Sequence, residues 1–277
     1  MFNVFKSGIL IILMTLLMIF IGGAVGGQNG AIVFFIISMV FNLFSYLFSD
    51  KIVIAMYRAK KADPNEFKEL YSILEELSNR AVLPVIPELY IVPMNVPNAF
   101  ATGRSPKKAV VAVTTGLLNS LDKDEIAAVI AHELGHIKNW DMLIQTIVAS
   151  MASAVMWISY IARWGAILGG GRDDRGNALG TLFVALIAPI AATLIQLGVS
   201  RSREYMADDF SKKLIGSGEP LVSALKSLHG ESLHHRESEE ISPATAHMFI
   251  FPSGLKGFFS LFSTHPSLEK RIANLRK

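Results

Sequence analysis

The sequence predicts a mainly α-helical protein in which four transmembrane helices carry a water-exposed α+β domain with a small β-sheet. Three observations predict it. Hydrophobic residues make up 51% of the 277 residues, and mean hydropathy is +0.42, more than a soluble domain requires. Four stretches without Asp, Glu, Lys or Arg are each about 20 residues long, enough to cross a bilayer as a helix. Between and after them lie two polar segments, each too thin in apolar residues to fold alone.

The four apolar stretches are Gly8–Gly27, Ala31–Ser49, Met142–Ala162 and Ala178–Ser200. The short uncharged link Gln28-Asn29-Gly30 makes the first two a helical hairpin. Lys6 and Ala24-Val25-Gly26 have some likeness to a cleavable signal, but the run is long and a second span follows at once. Four regions result: 1–50 as an N-terminal hairpin, 51–141 as a polar segment, 142–200 as a second hairpin and 201–277 as a second polar segment. Lys51, Arg58, Lys60 and Lys61 follow the second span, and Arg201 and Arg203 follow the fourth. The outer loop is balanced, with Arg172, Asp173, Asp174 and Arg175. Positive-inside bias then places both termini and both polar segments in the cytoplasm. Trp140 and Trp164 flank the third span as interfacial anchors.

In the first polar segment the pattern predicts a helix over Pro64–Ala81, with Leu70, Ile73, Leu74 and Leu77 on one stripe. Glu88–Val92 and Ala109–Thr115 read as short strands, and Asn98–Gly103 as a further one. Asp122 is an N-cap with Glu125 three residues on, a capping box that starts a helix through Ala127, Val129, Ile130 and Ala131, which either ends near Asn139 or runs on into the third span. Gly230–Ser242 is polar and reads as a loop; its His234-His235 pair reads as solvated rather than metal-binding.

That last helix carries His132-Glu133-Leu134-Gly135-His136. Residues four apart stack on one helix face, so both imidazoles can meet one cation. Two neutral nitrogens suit Zn²⁺, and an adjacent carboxylate can act on water at the metal, the working parts of metal-assisted peptide hydrolysis. A hydrolytic site needs a third protein ligand. Glu204 fits best: it lies just past the fourth span, with Asp208 one turn on, able to orient a ligand histidine through its free ring N–H. If spans three and four are antiparallel, the two halves meet at the membrane face. Accidental histidines, or a Glu204 that only pairs with Arg201 or Arg203, are the plainer alternatives; the conjunction of the pieces argues against them.

The conjunction resembles the HtpX family of membrane zinc endopeptidases, relatives of the zinc CaaX-prenyl proteases. It rests on the N-terminal hairpin, Asn98–Gly103, Ala131–His136, the two later spans, Ser200–Asp208 and Thr264-His265-Pro266. The resemblance implies a cytoplasmic zincin-like (gluzincin) catalytic domain holding one Zn²⁺ per subunit on His132, His136 and Glu204, with Glu133 as general base. It implies a peptidase of the bacterial inner membrane that removes misfolded or damaged membrane proteins under stress. His265 is expected either to start a helix before Pro266 or to donate to the oxyanion, with Arg271 as the rival donor. Asn98, Ala99, Phe100 and Ala101 are expected to form an edge strand that pairs with extended substrate. The expected partners are membrane-protein substrates and the lipid bilayer, with room for a homo-oligomer. No Lys/Arg block with interleaved aromatics suggests nucleic acid. The chain has no cysteine, so no disulfide framework exists. The alternatives are a zinc-bound membrane scaffold without turnover, or a prenyl-protein protease; uncharged spans disfavour a transporter.

Overall fold

A computed structural model describes residues 2–144, 201–234, 250 and 266–277. The described part is mostly helical with one small mixed sheet. Helix α1 (Phe2–Met56) is not a straight rod. Gly27 has φ +58°, and the Asn42 amide donates to Thr15 Oγ1 at 3.1 Å. Those residues would stand about 40 Å apart on one straight helix. The chain therefore folds back at Gly27. Gly22 and Gly30 allow the tight turn, since the Gly30 carbonyl occupies the place a Cβ on Gly22 would need. Among the described residues one window, Gly27–Phe44, is long and apolar enough to cross a membrane; Ile11–Phe20 is a shorter apolar stretch. Apolar side chains such as Phe20, Ile36, Val40 and Leu43 point outward from both arms. Of the third and fourth predicted spans, only residues 142–144 are described.

Strand β1 (Lys60–Lys61), helix α2 (Lys68–Arg80), β2 (Glu88–Val92), β3 (Ala99–Thr102), β4 (Val110–Thr114), α3 (Thr115–Ser120) and α4 (Lys123–Lys138) follow. The sheet order is β1-β2-β4-β3, with β2 and β4 parallel and both outer pairs antiparallel. Successive side chains alternate between its faces. Leu89, Ala99, Ala101, Val111 and Val113 join the main core with α2 and α4. Val92, Phe100 and Ala112 pack on the other face with Val53 and Tyr57 from the foot of α1 and its exit. Both faces are covered, which explains why β4 is apolar at four positions out of five without alternating polarity.

Helix α4 begins as the capping box requires: Asp122 Oδ1 accepts from the Glu125 N–H, and Glu125 Oε2 accepts from the Asp122 N–H. Two helices beyond the undescribed stretch complete the domain, α5 (Arg201–Ile215) and α6 (Glu219–His234), followed by α7 (Leu268–Leu275). Helix α5 packs along α4, where Ser211 Oγ donates to the Ala128 carbonyl at 2.7 Å. Helix α6 reaches the start of α4 through Ser223 Oγ, which donates to Glu125 at 2.6 Å.

Two expectations are corrected. The predicted helix over Pro64–Ala81 begins later, at Lys68, because Asp63 holds residues 63–67 in a turn by accepting from the Asn65 and Phe67 N–H groups. The predicted loop Gly230–Ser242 is helical as far as His234: α6, anchored by buried Leu221, Val222, Leu225 and Leu228, runs on through Gly230; 235–242 lie outside the described residues.

Candidate active site

The site forms where α4 and α5 touch, and Gly135 sets their separation. A Cβ on Gly135 would stand 3.2 Å from the Ala207 Cα and from Phe210 Cδ1, so any larger residue would push α5 away. Across this contact His132, His136 and Glu204 come together, each buried, with one ligand atom apiece within 4.8 Å of the others. The two Nε2 atoms are 3.2 Å apart, and they lie 3.7 and 3.6 Å from the Glu204 oxygens. Nitrogens bound tetrahedrally at 2.0–2.1 Å stand about 3.3 Å apart. The set fits a metal ion.

Each histidine is held from behind. His132 Nδ1 lies 3.0 Å from Asp208 Oδ1, and Asp208 in turn is gripped by Arg271, whose Nε and Nη2 donate at 2.9 and 2.6 Å. His136 Nδ1 lies 3.2 Å from Asp141 Oδ2, and Arg203 Nε approaches Asp141 Oδ1 at 3.6 Å. The arrangement is two parallel chains, arginine to carboxylate to imidazole, converging on one point. Such partners fix the tautomer that leaves Nε2 free for a metal.

Residues 64–277 match peptidase family M48. The chain belongs to that family. It is 48% identical to a protease HtpX homolog of Syntrophobacter fumaroxidans over 98% of both chains. It is 49% identical to another from Thermococcus kodakarensis, covering 98% of this chain and 94% of that one. The crystal structure of S. mikatae Ste24p superposes with TM-score 0.53 at 22% identity, a likeness of fold; it covers 98% of this chain, which spans only 63% of that one. This M48 peptidase is a membrane metalloprotease, as the HtpX resemblance led us to expect.

The electrostatics suit that chemistry. Burial pushes the Glu133 carboxyl above its ordinary range, while His136, His132 and a hydrogen bond from the Ala101 backbone pull it back. Burial would lower His132, but Asp208 and Glu204 outweigh it and raise the imidazole to about 9 without a metal. Burial likewise opposes His136, and Asp141 and Glu204 raise it. Burial would raise Asp208, yet Arg271 and His132 hold it below the usual carboxylate value.

The other sequence-predicted residues are placed as follows. Asn98 is buried; its side chain accepts from the Ile250 N–H at 3.0 Å, and its N–H donates to Thr114 Oγ1. Phe100 packs against Tyr57, ring centroids 5.6 Å apart. Ala99 and Ala101 face the core beside α4. Strand β3 is indeed an edge of the sheet, and its side chains are committed to packing, so what it offers a partner is backbone. Arg271 lies in the site, with Nε and Nη2 engaged by Asp208 and Nη1 3.9 Å from Glu204 Oε2. His265 lies outside the described residues. Sequence reasoning missed Asp141 and Arg203. Asp141 is five residues past His136, off the helix face, and only the left-handed Trp140 at φ +62° turns it back.

Proposed function

We propose that this M48 peptidase is a zinc-dependent endopeptidase that cleaves misfolded or damaged membrane proteins at the cytoplasmic face of a bacterial inner membrane. The observation that carries the reading is Glu133: a buried carboxylate beside a His-His-Glu triad, hydrogen-bonded to the backbone of Ala101 in edge strand β3. His132, His136 and Glu204 would hold the zinc, since two imidazoles and one carboxylate with an open fourth position are its hydrolytic set. Zinc, when bound, supplies Lewis acidity to the water and to the scissile carbonyl. Glu133 takes the proton from the attacking water and returns it to the leaving amine. Its raised proton affinity helps it carry that proton between the two steps. Asp208 and Asp141 hold the ligand rings in register. The backbone of Ala99–Ala101 aligns an extended peptide by strand addition, which tolerates many sequences, as removal of damaged proteins requires. His265 or Arg271 steadies the oxyanion.

Glu133→Gln tests the reading. The variant should keep its metal, by elemental analysis, while cleavage of an unfolded membrane-protein substrate in detergent falls about 10²–10⁴-fold. Full cleavage would overturn the mechanism, and a wild type with no cleavage to lose would identify a scaffold.

A further inference from the structure

A cavity of about 390 Å³, lined by none of the catalytic or metal-holding side chains, opens between the α2–β2 loop and the end of α4. Val82, Leu83 and Pro84 form one wall, Trp140 another, and Lys107 and Lys138 close it; no acidic side chain is among its lining residues. Two features set it apart. The described non-glycine residues with positive φ are Arg58, Val82 and Trp140, and two of the three line this cavity. Both sit one residue past a helix C-cap, where glycine or asparagine is the undemanding choice. A β-branched valine and a bulky tryptophan are sterically disfavoured there. The chain nevertheless presents apolar groups at both points, and Val82 is 80% exposed. Val85 and Ile86, next along the loop, are exposed as well.

The second feature is position. Trp140 stands two residues before the third apolar stretch, which begins at Met142. On the other side, Arg104 Nη1 donates to the Leu47 carbonyl at 3.4 Å, tying the Arg104–Lys108 turn to the lower end of the α1 hairpin just past its apolar window. The cavity thus lies between the ends of two apolar stretches, where the chain would leave a bilayer. Lys107 and Lys108 are exposed and free to meet anions; Lys138 donates to the Ala81 carbonyl and lies over the Phe210 ring.

We propose that this cavity seats an anionic phospholipid headgroup of the surrounding bilayer, with Val82, Val85 and Ile86 dipping into the interface beside it. Exposed aliphatic side chains beside exposed lysines, here Lys107 and Lys108, are the chemistry of an anionic lipid surface. The proposal rests on the chain's membrane location, and the test separates the two. Because the chain has no cysteine, single substitutions can carry a nitroxide without background labelling. Full-length Val82→Cys, Val40→Cys and Lys213→Cys proteins are placed in nanodiscs of phosphatidylglycerol and phosphatidylcholine, and collision with oxygen is compared with collision with a water-soluble nickel chelate. Val40, on the outer face of α1, reports lipid, and Lys213, exposed on α5, reports water. The oxygen-to-nickel ratio at Val82 should exceed that at Lys213 severalfold. It should fall when Lys107→Glu is added, in anionic discs and not in pure phosphatidylcholine. A lipid-like Val40 with a water-like Val82 overturns the headgroup site alone, and water-like values at both overturn the membrane location too. Low collision with both reagents at Val82 means protein covers the loop, and an effect of Lys107→Glu that ignores lipid charge means no headgroup is held; each overturns the proposal.

Discussion

Asp141 takes no part in any five-residue pattern, yet it does for His136 what Asp208 does for His132. Replacing it with asparagine should lower metal affinity about 10–100-fold with helix content unchanged, as measured by competition with a chromophoric chelator. Unchanged affinity would show that the ring is held by packing alone. The same cluster predicts a pH effect. The His132 imidazole of the metal-free fold is raised from 6.5 to about 9. Its proton therefore stabilises the metal-free fold fully below pH 6.5, and that contribution is lost as pH rises through 9. A metal needs the neutral ring, so binding between those values must displace a proton, and affinity should rise with pH by up to about tenfold per unit. Calorimetry of zinc binding in buffers of different ionisation enthalpy should register that release; enthalpies independent of buffer would contradict it. His132, Glu133 and His136 were legible because helical spacing alone aligns them, and Glu204 because it follows the fourth apolar stretch with Asp208 one turn on. Asp141 was not, because one left-handed residue sits between it and the helix.

Between elements, the contact that matters is α4 on α5. Gly135→Ala should displace α5 by a few tenths of an ångström and move Glu204 away from the histidines. We expect a loss of about 1–3 kcal/mol of stability, as for other overpacked interiors, together with weaker metal retention, checked by thermal melts with and without zinc. A variant as stable and as tightly loaded as the parent would show that α5 gives way freely. The elements themselves were partly readable. The Asp122–Glu125 box marked the start of α4 because both reciprocal bonds are local. The strands of β2, β3 and β4 were marked by the prolines and glycine around them. Strand β1 was invisible: two lysines pair with Ile91 and Tyr90 only because the sheet already exists. Gly230 suggested a break that tertiary packing of α6 does not make.

At the scale of the molecule, the sheet is a joint between two solvents. One face rests on the helical core, and Tyr57 and Val53 press the foot of the α1 hairpin against the other. Tyr57→Ala should cost about 3–5 kcal/mol, as truncation of a buried aromatic does. Limited proteolysis should then cut first near Arg58–Asp63, whereas an unchanged cleavage pattern would mean the hairpin and the domain are joined by chain alone. The hairpin was legible from its two apolar runs and the short uncharged link between them. The strand order was not, because the parallel pairing of β2 with β4 places β3 outside them, against sequence order. The division of the metal ligands between α4 and α5 also has a consequence for the chain while it is being made. A ribosome delivers His132, Glu133 and His136 long before Glu204, and Arg271, which steadies Asp208, later still. A half-made molecule therefore carries Glu133 without a complete metal cage, and under the proposed mechanism it could not yet cleave itself or its neighbours.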